Sequence, residues 1–190
     1  MEMIGEVSPD RPLLVVALNA EGEHLRLLDL PVLVTGPGKV CAATATARLL
    51  ADYLPSEVVN LGTAAALRDG LHGTHVIGRA IQHDFDSQAI FELTGRHFGS
   101  PLELGLGPIL ATGDRFVADS QLRAQLAQHA QLADMEGYAV AAVAQSIGVP
   151  VRLVKYVSDD GDEQAARSWS ESIAEAAQRL ADWARAELLP

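Results

Sequence analysis

The chain has 190 residues, 48% of them hydrophobic but only 5% aromatic, and a formal net charge of −11. That length and hydrophobic content fit one ordered domain with a core built mostly from Ala, Val and Leu, and argue against disorder. The acidic balance, with Lys39 and Lys155 as the only lysines, argues against a nucleic-acid partner, since phosphate backbones are bound by stripes of Lys and Arg.

No apolar run approaches the ~20 residues of a membrane span, so no membrane association is expected. Met1 to Pro12 lacks the order of a signal peptide and reads as a loose tail, leaving residues 13–190 as the folded domain. Cys41 is the only cysteine. No internal disulfide can form, which suits a reducing cytoplasm, and with Ala42 and Ala43 beside it Cys41 reads as a small core residue.

In chain order, Leu13 to Leu18 is a continuous apolar run read as a buried strand. Leu25, Leu27 and Leu28 follow in a short helix or turn. Pro31 to Thr35 is a second strand, broken by Gly36-Pro37-Gly38. Lys39 to Leu54 has helical composition and stops at Pro55. Glu57 to Leu61 is a third strand ending at Gly62-Thr63, and Thr74 to Gln82 a fourth. The Gly- and Pro-rich residues 87–108 read as loop. Ile109 to Ala111 is a short strand, and 119–130 a helix with Asp119 as N-cap. Met135 to Ile147 is a helix closed by Gly148 and Pro150. Val151 to Val157 is a strand, and the last helix spans about 163–188 with Ala166, Trp169, Ile173, Ala176, Leu180 and Trp183 on one apolar face. Alternation of strands and helices predicts an α/β single domain with a central, mixed, mostly parallel sheet flanked by helices.

Ligands in such folds lie beyond the carboxyl ends of strands. Glu21, Gly62-Thr63-Ala64, Asp114-Arg115-Phe116 and Ser158-Asp159 fall at such ends. Gly36-Pro37-Gly38-Lys39 opens a helix whose backbone N–H groups can hold an anion, but its spacing is neither that of a P-loop nor of a dinucleotide fingerprint, and a structural turn is the better reading. His83-Asp84-Phe85-Asp86 lacks the further ligands that a metal site needs and reads as a hydrogen-bonded loop anchoring a pocket wall. Ser158 has no His partner and no Gly-x-Ser-x-Gly setting, against a serine hydrolase. Glu21, Glu136 and Asp159 remain. Taken singly, each has an ordinary structural explanation: Glu136 in a helix first turn, Asp159 as an N-cap or solvated turn.

Seven short motifs, in order, resemble the 5′-methylthioadenosine/S-adenosylhomocysteine nucleosidase family, a branch of the purine nucleoside phosphorylase superfamily. They are Ala17 to Glu21, Thr35 to Val40, Asn60-Leu61-Gly62-Thr63-Ala64, His83-Asp84-Phe85-Asp86, Thr112 to Val117, Asp134-Met135-Glu136 and Val157-Ser158-Asp159. The resemblance runs from about residue 13 to the C-terminus. It implies hydrolysis of the N-glycosidic bond of an adenine nucleoside, with no metal or cofactor, in a cytoplasmic homodimer.

By the same resemblance Asp159 is the general acid that protonates adenine N7, and Ser158 orients it. Glu136 binds ribose hydroxyls above Met135, and Phe116 stacks on adenine while the Val117 backbone reads its edge. Thr63 and Ala64 line the ribose side. Glu21 activates the water, although the acidic loop registers equally on Glu23. Phosphorylases of the superfamily hold phosphate with an arginine just before the Gly-Ser turn; Val58-Val59-Asn60-Leu61 stands there instead, which favours water over phosphate. The family's Gly after Thr63-Ala64 is replaced by Ala65-Ala66. The span from His83 to Thr112 is shorter than in typical members and reads as lacking a helix, which leaves the 5′ group open. A phosphorylase, and a nucleoside-binding protein without catalysis, are the alternatives.

Overall fold

The computed structural model describes residues 1–189. Among them, ten strands join one sheet: β1 (Glu2–Ile4), β2 (Pro12–Val16), β3 (Val32–Val34), β4 (Glu57–Ala66), β5 (Thr74–Val76), β6 (Arg79–Gln82), β7 (Leu102–Glu103), β8 (Ile109–Thr112), β9 (Leu132–Asp134) and β10 (Val151–Asp159). Five helices accompany them: α1 (Lys39–Asp52), α2 (Ser87–Thr94), α3 (Ser120–Leu126), α4 (Gly137–Ile147) and α5 (Ala165–Leu188). The order across the sheet is β1-β3-β2-β4-β9-β8-β6-β7, with β10 beside β4 and β5 beyond it. The pairs β2/β3, β2/β4, β4/β10, β6/β8 and β8/β9 are parallel, so the sheet is mixed and mostly parallel, as expected.

The central strands are apolar on both faces because both are covered. Leu13, Val15, Leu33 and Val58 point to one face and pack on Ala42, Ala45 and Leu49 of α1 and Ala139, Val140 and Ala144 of α4. Leu14, Val16, Val59, Leu61 and Val154 point to the other and meet Leu180, Ala181 and Ala184 of α5. Alanines at the contacts let the helices lie close to the sheet, which accounts for a core with few aromatics.

Several expectations are corrected. The N-terminal segment is not wholly loose: Glu2–Ile4 pairs antiparallel with β3. The 74–82 strand is two strands, separated at Gly78. There the backbone crosses so closely that a Cβ would lie 2.5 Å from the Gly107 nitrogen. β5 then pairs with β10 and β6 with β8. Residues 87–108 do hold a helix, α2, with Asp86 capping the Ala89 N–H and Gly95 in the left-handed region at its end. β4 runs on through Gly62 and Thr63 to Ala66, so these residues lie inside a strand. The predicted 119–130 helix stops at Leu126, although Asp119 does cap it through the Leu122 N–H. Cys41 is exposed on α1, not in the core.

Candidate active site

One cleft of about 440 Å³ opens at the carboxyl ends of β2, β4, β9 and β10, and its lining is mostly apolar. The residues that the family resemblance assigns to catalysis and substrate all line it: Glu21, Thr63, Ala64, Phe116, Val117, Met135, Glu136, Ser158 and Asp159. Of the two acidic residues in this loop, Glu21 is buried and lines the cleft, whereas Glu23 is exposed.

Asp159 reaches the cleft by a local irregularity. In a regular strand neighbouring side chains point to opposite faces. The register of β10 against β4 shifts between Val157 and Asp159, a bulge at Ser158. Bulges re-aim side chains in this way, and both Ser158 and Asp159 line the cleft. The Ser158 hydroxyl donates to Asp159 Oδ2 at 2.8 Å and the Gly161 N–H to Oδ1 at 3.0 Å. Asp159 is therefore neither solvated nor the cap of α5, whose N-cap position is Gln164. Burial pushes its carboxyl above the ordinary range, against the two hydrogen bonds that pull it down.

Glu136 occupies the N-cap position of α4 without capping it. The capping is done by Asp134, whose Oδ2 accepts from the Gly137 N–H at 2.7 Å, and by the Thr112 hydroxyl oxygen, which accepts from the Tyr138 N–H at 2.9 Å. The Glu136 side chain instead crosses to α1, where Oε1 accepts from the Gly38 N–H at 2.7 Å. Asp114 accepts from the Lys39 N–H at the same distance, 2.7 Å. The anions held by this helix start are thus the protein's own carboxylates. Gly38 is at φ +87°, where a side chain is strained, and an added Cβ would lie 3.0 Å from Asp114 Oδ1. Burial first, and then the negative charge of Asp134, raise the Glu136 carboxyl to about 7.

Glu21 receives three donors: the Thr63 N–H at 2.9 Å and hydroxyl at 3.0 Å on Oε1, and the Leu18 N–H at 3.1 Å on Oε2. Lys155, on β10, is almost wholly buried. Its ammonium donates to Asn60 Oδ1 at 2.7 Å and pairs with Asp134 Oδ2 at 2.9 Å. Burial alone would lower its pKa; the carboxylates of Asp134 and Glu136 outweigh that and raise it. Gly62 makes room for this packing, because a Cβ there would sit 3.2 Å from Glu21 Oε1 and 3.4 Å from Lys155 Nζ. One buried cation thus faces the buried carboxyls of Glu21, Asp134 and Glu136.

His83-Asp84-Phe85-Asp86 anchors the wall as expected. Asp84 accepts from the Asp114 N–H at 2.7 Å and pairs with the Lys39 ammonium, and Asp86 caps α2. Among the described residues, no group of three or more His, Cys, Asp and Glu side chains is placed to hold a metal ion. Two residues of this network carry no signal in the sequence reading. Lys155 gave no motif signal beyond being a lysine in an apolar strand. Trp169 was read as core, yet it lines the cleft and its indole N–H donates to the Thr63 hydroxyl oxygen at 3.0 Å.

A cleft beyond the strand ends of a mostly parallel sheet is where α/β proteins bind small ligands, and the phosphorylase superfamily profile matches residues 29–108 and 107–188. The chain belongs to that superfamily, on its nucleosidase branch. It is 30% identical over 176 residues to the 5′-methylthioadenosine/S-adenosylhomocysteine nucleosidase of Actinobacillus succinogenes, a match spanning 78% of this chain and 75% of that protein. It is 27% identical over 177 residues to the nucleosidase of the same name from an Exiguobacterium species, covering 79% and 76% of the two chains.

Among solved structures, a mutant Helicobacter pylori MTAN with 5′-methylthioadenosine in its active site superimposes with a TM-score of 0.84 at 21% identity, over 93% of this chain and 97% of that one. The futalosine hydrolase of the same organism does so with a TM-score of 0.83 at 21% identity, over 93% and 96%. At these identities the two structures speak to the fold alone.

Proposed function

We propose that this chain hydrolyses the N-glycosidic bond of an adenine nucleoside such as 5′-methylthioadenosine or S-adenosylhomocysteine, releasing adenine. The observation that carries the reading is the convergence of Glu21, Glu136 and Asp159, all buried, on one cleft. The names of the curated relatives support it.

The C1′–N9 bond breaks with its electron pair moving into adenine, leaving an oxocarbenium-like ribose. Asp159, whose neutral form burial favours, gives its proton to N7. Such assistance to a leaving group contributes ~10²–10⁴-fold. Water attacks C1′ from the Glu21 side and passes its proton to that carboxylate, with Thr63 beside it. Glu136 accepts from ribose hydroxyls over Met135. Phe116, exposed at the mouth, stacks on the base, the Val117 backbone reads its edge, Ala64 lies against the sugar and Ser158 orients Asp159. Return of the Glu21 proton to solvent and of one to Asp159 closes the cycle, so no metal or cofactor enters it.

The test is adenine release from a panel of 5′-substituted adenosines, with and without phosphate. Release that needs no phosphate is expected; release that requires phosphate would select a phosphorylase, and tight binding without release a silent binder. The same reading makes the protein a cytoplasmic homodimer. Exposed Phe85, Leu93, Phe98 and Leu106 on and around α2 offer a second copy an apolar surface. Sedimentation equilibrium giving a monomer would remove the dimer.

A further inference from the structure

We propose that Trp169 is a positioning residue for the water-activating half of the site, acting on Glu21 through Thr63; the role in turnover rests on the nucleosidase reading above. An indole N–H can only donate. At 3.0 Å from Thr63 Oγ1 it takes one lone pair of that hydroxyl. The hydroxyl's single proton is then directed to Glu21 Oε1, 3.0 Å away. With the Thr63 and Leu18 N–H groups, this fixes both carboxylate oxygens in the cleft. Without the indole, the Thr63 hydroxyl is free to rotate toward water or ligand and Glu21 loses a fixed donor.

The position of Trp169 in α5 supports this role. The apolar stripe of the helix packs on the sheet through Leu180, Ala181 and Ala184, but Trp169 and Ala166, about three and four turns before Leu180, line the cleft. The same stretch is tied to the acid side, because the Ser172 hydroxyl donates to the Ser158 carbonyl at 2.9 Å. The first turns of α5 therefore brace both halves of the site. Trp183, the other tryptophan, has the Arg152 guanidinium over its ring, 5.4 Å from the centroid, and is not among the residues lining the cleft. It serves as an internal control.

The experiment compares the full-length protein with Trp169→Phe, Thr63→Val and the double variant. Trp169→Phe keeps a ring and loses the N–H. Its kcat is expected to fall about five- to tenfold, the worth of one hydrogen bond, with KM within about twofold of the parent. In the Thr63→Val background Trp169→Phe has no further effect on kcat, since the path runs through that hydroxyl. Additive losses, an unchanged kcat, or a fall in melting temperature with kcat intact would overturn the proposal.

A second readout is independent of turnover and decides the hydrogen-bond chain even if no nucleoside is cleaved, in which case it is the nucleosidase reading that falls. In protein carrying ¹³C-labelled glutamate and ¹⁵N-labelled tryptophan, the Glu21 Cδ resonance moves in Trp169→Phe. The Trp169 indole N–H exchanges slowly in the parent and rapidly in Thr63→Val, while that of Trp183 is the same in both. A Glu21 resonance that does not move, or an indole that exchanges equally fast with and without the Thr63 hydroxyl, would refute the chain.

Discussion

Replacing Glu136 by Gln sets stability against function at one atom. Glu136 is held at about 7 in the folded protein and has 4.5 as its ordinary value. It binds its proton more tightly folded than unfolded. Its contribution to stability is therefore full below pH 4.5 and is lost as the pH climbs through 7. Integrated over that window the loss is about 3 kcal/mol. Gln cannot ionise, yet its amide oxygen can still accept from the Gly38 N–H, the bond that Glu136 makes at 2.7 Å. The variant should match the parent in urea unfolding at pH 4.5 and exceed it by about 3 kcal/mol at pH 8, or roughly 10 °C in midpoint. Its kcat/KM should fall about 10- to 100-fold, since a charged acceptor for the ribose hydroxyls is gone. Equal pH slopes for the two proteins would refute the buried, proton-retaining Glu136, and an unchanged kcat/KM would remove it from the site.

Two further outcomes follow from the same network. Lys155→Met leaves Asp134 buried without its cation, which costs about 3–5 kcal/mol in urea unfolding; adding Asp134→Asn should recover part of it, and a loss below about 1 kcal/mol would contradict the pairing. If Asp159 must carry a proton to act, kcat/KM falls as the pH rises through its ionisation. Ser158 donates to the ionised form and lowers that pKa, so Ser158→Ala should move this alkaline limb to higher pH while reducing the rate. A limb that stays put or moves down in the pH–rate profile would contradict the bond between them.

The chemistry-bearing carboxylates were legible because their types and spacing follow from the strand and helix ends that carry them, and the family resemblance supplied their grouping. What was not legible depends on contacts between distant segments. Lys155 sits in Val-Lys-Tyr-Val, where nothing local says that its ammonium will meet Asn60 on the neighbouring strand and Asp134 on another. Trp169 keeps the helical spacing of a core residue; only the assembled fold shows that this part of α5 lies over the cleft instead of the sheet. β9, three residues long and followed after Met135 and Glu136 by α4, is too short for a period to emerge. α2 lies in a stretch whose glycines and prolines read as loop, although its Asp86 cap and Gly95 stop were both in view. The break at Gly78 follows from a backbone crossing with Gly107, which no local pattern encodes.

On the proposed reading, solvent replaces adenine at C1′ with Asp159 supplying the proton. The most direct measurement is turnover of 5′-methylthioadenosine in H₂¹⁸O without phosphate, for the parent and for Asp159→Asn shown by circular dichroism to be folded. The parent should give adenine and a sugar carrying one ¹⁸O at C1′, and the variant almost none of either. A sugar bearing no label, or an Asp159→Asn protein as fast as its parent, would contradict the account.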